Sequence, residues 1–199
     1  MPKSSHVSAP LRQALIECFR KNTCLVRPKL RRQVVLVGGA ASIAHNSVLY
    51  TEDMDVAAPS DVIQDIYKRV IDGTLNFSLE PDGNIAFDSS QGIRVRVDII
   101  EIGDAIKKIH AIEPFFEGSV ASMSDLLRLR AVTVVERGRD GEADDFRWLL
   151  AEVAKAVQLI PGLSQEELDY VREAGGSCLG GLDRLVLYSI LQEEDGRIL

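Results

Sequence analysis

Asp53 and Asp55 stand two positions apart in the run Thr51-Glu-Asp-Met-Asp-Val56, and Asp98 lies in the run Arg96-Val-Asp-Ile-Ile100. Side chains two apart on a strand point to the same side, so Asp53 and Asp55 can converge on one cation. Magnesium takes oxygen ligands and is commonly held by one or two carboxylates together with substrate phosphates. Asp98 belongs to an alternating stretch in which Ile93, Val95 and Val97 face one way and Arg94, Arg96 and Asp98 the other, which puts it on the polar face of a strand. Upstream, the apolar run Val35–Val37 ends in Gly38-Gly39, a pair that lets backbone approach a ligand because no Cβ intervenes. A helix opening just after it would present N–H groups to an anion, placing a phosphate site beside the metal site.

The stretch Val37 to Val56, VGGAASIAHNSVLYTEDMDV, resembles the signature of the polymerase-β type nucleotidyltransferase superfamily, in which a strand ending in Gly-Gly or Gly-Ser leads through a short helix to Asp-x-Asp. The stand-alone proteins related to abortive-infection toxins are the nearer resemblance, which covers about Val35 to Leu150. It implies an α/β (α+β) fold: a nucleotidyltransferase-like mixed sheet with flanking helices, followed by a helical C-terminal region. It also implies that Asp53, Asp55 and Asp98 hold magnesium (or manganese) and activate an acceptor hydroxyl for attack on a nucleoside triphosphate. Gly38, Gly39, Ser42 and Thr51 would then bind the triphosphate. Related proteins carry a phosphate-reaching lysine in the later helices; here no lysine occurs between Lys108 and Lys155, and Arg128, Arg130 and Arg137 are the cations in its place. The acceptor could be a small molecule, a protein side chain or an RNA end. Two alternatives use the same fold: a binding or partner module that has lost transfer chemistry, and a site acting on a small metabolite by another reaction.

The elements that must position these residues follow from periodicity. Apolar residues at Leu11, Ala14, Leu15, Cys18 and Phe19 predict a helix over Leu11–Lys21, and Gln33–Val37 a buried strand. A short helix is expected over Ala40–Val48 and a second strand at Met54–Ala57. From Ser60, the residues Val62, Ile63, Ile66, Tyr67, Val70 and Ile71 form one apolar stripe of a helix. Glu-Pro-Asp-Gly at 80–83 predicts a hairpin between Leu75–Leu79 and Asn84–Phe87. Helices are then expected from Ser124, over Ala143–Val157, after Ser164 with Glu167 completing a capping box, and over the run from Gly180 to Gln192. The expected organisation is a tail at 1–10, an α/β domain at 11–120 and a helical region at 121–199.

Other polar residues have structural readings. Arg94 and Arg96 are expected to pair with carboxylates, Asp144 and Asp145 to cap or pair at a helix start, His45 to serve packing, and Trp148 to lie in the core.

The 199 residues, 46% hydrophobic and 27% charged, are enough for a sizeable core. The net charge of −7 disfavours a general nucleic-acid role, since nonspecific affinity comes from lysine and arginine neutralising phosphates. Nucleic acid stays possible as an acceptor. No membrane partner is expected, because no run of about 18 apolar residues occurs and the N-terminus lacks a signal-peptide pattern. Three cysteines without ligand-like spacing fit a reducing, cytoplasmic location better than disulfides or zinc.

Overall fold

The computed structural model describes residues 6–104, 106–138 and 140–193, and the chain divides into two compact units, Met1–Ala121 and Ser122–Leu199. Residues 1–5 of the expected tail lie outside the described residues. From residue 6 onward, His6 bridges Leu49, the Val7 N–H donates to the Val48 carbonyl, and Ser8 caps the first helix.

That helix, α1 (Ala9–Leu25), begins earlier and ends later than the apolar stripe indicated. The Ser8 hydroxyl accepts from the Leu11 N–H at 3.3 Å and Pro10 sits in the first turn, where its missing N–H costs nothing. A 3-10 turn (Pro28–Gln33) follows, which takes Gln33 out of the expected strand and leaves β1 as Val35–Val37. Next come α2 (Gly38–Ala44), β2 (Asp53–Ala58) and α3 (Ser60–Ile71). α2 stops short of Val48 because Asn46 adopts a left-handed conformation (φ 73°) that a helix cannot continue through. The buried stripe of α3 is narrower than expected: Val62, Ile66 and Val70 are inside, while Ile71 is largely exposed.

The hairpin at Glu80–Gly83 forms as the sequence indicates, joining β3 (Phe77–Leu79) to β4 (Ile85–Asp88), with Gly83 at φ 87°. β5 (Arg94–Glu101) alternates in the expected way, with Val95 and Val97 buried and Arg94 and Arg96 exposed. Two further strands, β6 (Ile112–Phe115) and β7 (Gly118–Ala121), complete the sheet. Among the described residues the sheet is seven-stranded and mixed, in the order β3-β4-β5-β2-β1-β7-β6. β1 runs antiparallel to β2 but parallel to β7, and β2 runs parallel to β5. β6 is an edge strand, where Pro114 can sit without leaving a central ladder donor missing. Phe19, Met54, Ile66, Ile85 and Phe87 are fully buried in this unit, and burying side chains of that size stabilises by roughly 1.5–3 kcal/mol each.

The second unit contains α4 (Met123–Arg137), α5 (Asp140–Lys155), α6 (Gln165–Cys178) and α7 (Gly181–Ile190). Ser122 rather than Ser124 caps α4, and Gly138 ends it in the left-handed conformation (φ 59°). The Ser164–Glu167 capping box is present on α6 at the expected positions. A short parallel pair, β8 (Ile160–Leu163) with β9 (Leu191–Glu193), departs from the all-helical expectation for this region. Leu127, Phe146, Leu149 and Leu187 are buried here; Trp148 is only partly covered and is not the core residue its spacing indicated. No helix among the described residues is long and apolar enough to cross a membrane.

Candidate functional site

β1 passes directly into α2, and Gly38 makes the turn at φ 63°, a conformation only glycine adopts without strain. Val37 is the antiparallel partner of Asp55, so the turn lies against the Asp55 side chain. A Cβ at position 38 would stand 2.0 Å from Asp55 Oδ2, and one at Gly39 would stand 2.8 Å from both Cβ and Oγ1 of Thr51. The glycine pair is thus required for two reasons: the backbone bend, and the close approach of Asp55 and Thr51.

The register of β2 and β5 assembles the carboxylates. Asp55 is the direct partner of Asp98 and Asp53 the partner of Arg96, so all four side chains share one face of two neighbouring parallel strands. On the opposite face, Met54, Val56, Val95 and Val97 are buried and fix which side the acids take. Arg96 Nε donates to Asp98 Oδ1 at 2.8 Å, and the nearby negative charges of Asp98, Asp82 and Asp53 add to the hydrogen bond in raising its pKa. Arg94, two residues earlier, is held by Asp88 Oδ1 at 2.8 Å, Ser78 Oγ at 2.8 Å and Glu80 Oε1 at 3.2 Å. Both arginines pair with carboxylates, as their alternation indicated. Among the described residues, no three His, Cys, Asp or Glu side chains are gathered closely enough to hold a metal ion. The donors that Asp53, Asp55 and Asp98 offer are all carboxylate oxygens, the chemistry a hard divalent cation takes.

The remaining predicted residues are distributed as follows. Thr51 lies beside Gly39, whereas Ser42 is buried within α2 at 1% exposure. His45 has its structural role: Nε2 lies 2.9 Å from the Ala121 carbonyl oxygen. Arg130 and Arg137 belong to the second unit, where Arg130 pairs with Asp145 at 2.7 Å and Arg137 reaches Glu142 at 4.0 Å. Arg128 is 3% exposed, its guanidinium taken by Asp125 at 2.9 Å and by Glu167. Asp144 pairs with Arg147 at 2.8 Å. Sequence reasoning missed the Tyr50–Glu52 pair just before the acids, in which the phenol donates to Glu52 Oε2 at 2.8 Å. That hydrogen bond, with burial and the charges of Glu52 and Asp53, raises the Tyr50 pKa. Two polar residues at a spacing of two were the available signal.

No family model matches the sequence, and no curated protein matches it significantly. Solved structures do match. An antigenic nucleotidyltransferase-like protein from Paracoccidioides brasiliensis superposes with a TM-score of 0.64 at 13% identity, covering 96% of this chain and 97% of that one. The fold is nucleotidyltransferase-like. The antibiotic-resistance factor ANT(2'')-Ia matches with a TM-score of 0.50 at 13% identity over 82% of this chain and 90% of its own. JHP933 from Helicobacter pylori matches with a TM-score of 0.50 at 12% identity over 91% of this chain and 90% of its own. These likenesses carry the broad nucleotidyltransferase resemblance in fold; they do not support the narrower one to abortive-infection toxins.

Proposed function

We propose that the protein is a metal-dependent nucleotidyltransferase that moves a nucleoside monophosphate from a triphosphate to an acceptor hydroxyl. The observation that carries this reading is the register that sets Asp55 opposite Asp98, with Asp53 on the same face and the Gly38 backbone against Asp55. The nucleotidyltransferase-like fold at low identity supports it.

In this reading Asp53, Asp55 and Asp98 hold magnesium or manganese, which supplies charge neutralisation for the attacking and leaving oxygens of an in-line displacement. The oxygen-only donor set suits such an ion, and two carboxylates with substrate phosphates are enough to hold it; the three acids share one face but are not gathered closely, so the ion would have to draw them together. Gly38 and Gly39 let the triphosphate approach main chain, and Thr51 stands beside them to fix that turn. The acceptor hydroxyl belongs to a small molecule, a protein or an RNA end, the last disfavoured by the net charge of −7. The protein would act in the cytoplasm.

Calorimetric titration with each nucleoside triphosphate, with and without magnesium, tests the proposal. Binding that requires magnesium and disappears in Asp53→Asn, with circular dichroism unchanged, is the expected result. Triphosphate binding that is absent, or that survives in Asp53→Asn, would refute it and favour a site for another small metabolite or a partner module.

A further inference from the structure

Arg94 and Arg96 share one strand and one face, yet they are engaged very differently. Arg94 is tied to Ser78, Glu80 and Asp88 across the β3–β4 hairpin, a structural clamp. Arg96 instead donates to Asp98, one of the three site acids, and lies in register with Asp53, another. Three carboxylates and one guanidinium therefore occupy a patch two strands wide. The Arg96–Asp98 pair is solvated, with side chains 46% and 35% exposed, and ion pairs of that kind are weak. A divalent ion at Asp98 and a guanidinium at the same carboxylate repel one another, so binding of the first disfavours the second.

No lysine occurs between Lys108 and Lys155, and Arg128, Arg130 and Arg137 each have carboxylate partners in the second unit, Arg128 in Asp125 and Glu167, Arg130 in Asp145 and Arg137, more loosely, in Glu142. A guanidinium matches phosphate with its planar fork of donors. We propose that Arg96 is an exchangeable counter-ion of this site: it yields Asp98 to a divalent cation and turns to the triphosphate's oxygens. The inference rests on the transfer reading above and adds the phosphate-binding residue to it. Arg96 acts by binding and positioning.

The test uses the full chain and four variants, Arg96→Ala, Arg96→Lys, Arg94→Gln and Asp53→Asn, each checked by circular dichroism and thermal melting. Manganese is titrated alone, with the free ion followed by electron paramagnetic resonance; adenosine triphosphate with magnesium is titrated by calorimetry. Arg96→Ala should bind manganese about two- to fivefold more tightly, because a competing ion pair is gone. It should bind magnesium-triphosphate about tenfold or more weakly, the loss expected for a charged hydrogen bond. Arg96→Lys should recover part of the triphosphate affinity, and Arg94→Gln should leave both titrations unchanged.

If the wild-type protein binds both ligands in an Asp53-dependent manner but Arg96→Ala changes neither affinity, or weakens manganese binding, the role of Arg96 is wrong and the transfer reading survives. The role of Arg96 is equally refuted if Arg94→Gln reproduces the Arg96→Ala pattern. If the wild type binds neither ligand, or binds them without Asp53, both fall together.

Discussion

Gly38 and Asp55 are packed so closely that the smallest side chain at position 38 would come within 2.0 Å of the Asp55 carboxylate. Gly38→Ala should therefore act at a distance from its own position, by driving the Asp55 side chain off its place. Left-handed backbone and overpacking together should cost about 2–4 kcal/mol, measurable by urea denaturation. Magnesium-dependent triphosphate binding should be lost even where the variant remains folded. An alanine variant with wild-type stability and binding would show that the turn does not set Asp55.

The same close packing occurs between β7 and α1, remote from the acids. A Cβ on Gly118 would meet Phe19 Cζ at 2.7 Å, the Val34 carbonyl oxygen at 3.0 Å and Thr23 Oγ1 at 3.1 Å. Backbone cannot yield as a side-chain tip can, so Gly118→Ala should destabilise by about 1–3 kcal/mol in chemical denaturation. Comparing its effect on triphosphate affinity with that of Gly38→Ala separates a folding defect from a site defect.

The second unit should respond to acid through Glu167. Burial pushes this carboxyl up, but the Ser164 amide, the Arg128 charge and the Ser164 hydroxyl outweigh it and hold the pKa below the ordinary value. A depressed folded-state value means that the contribution is complete above about pH 4.3, the ordinary glutamate value, and is lost as pH falls through the folded value. Glu167→Gln should cost about 1–3 kcal/mol at neutral pH, because Arg128 is buried beside it. The gap between variant and wild type should close on acidification, as followed by thermal melting across pH 3–7. A gap that stays constant with pH would place the effect in packing.

Ser164→Ala removes the other half of the same capping box, in which the Ser164 hydroxyl accepts from the Glu167 N–H at 3.4 Å. The expected loss is about 1 kcal/mol. Because Glu167 takes part in both devices, the double variant with Glu167→Gln should be less destabilised than the sum of the singles; strict additivity would argue that the two side chains act separately.

What the sequence made legible were the features settled by neighbours along the chain. The alternation of Ile93 to Asp98, the turn at Glu80–Gly83 and the Ser-x-x-Glu cap at Ser164 are local patterns, and each forms at the positions its pattern indicates. β7 was not readable because Gly118–Ala121 is four small residues whose strand character comes from pairing beside β1, over eighty positions earlier. The spacing of Asp53 and Asp55 showed a shared face. The pairing of Asp55 with Asp98, and the approach of Gly38 to Asp55, depend on sheet order, which periodicity does not encode. Likewise the run that carries Arg130 and Arg137 gave no hint of their partners Asp145 and Glu142, which come from the next helix.

The sheet ends on one side at β6, where Pro114 interrupts the outward row of donors, and on the other at β3, only three residues long. Each margin is a poor template for another chain: one lacks a donor, the other is too short to hold a register. An interior as apolar as Val35 to Val37 and Val56 to Ala58 can thus be assembled without leaving an adhesive border for a second molecule to extend. Substituting Pro114 should restore the missing donor to that border.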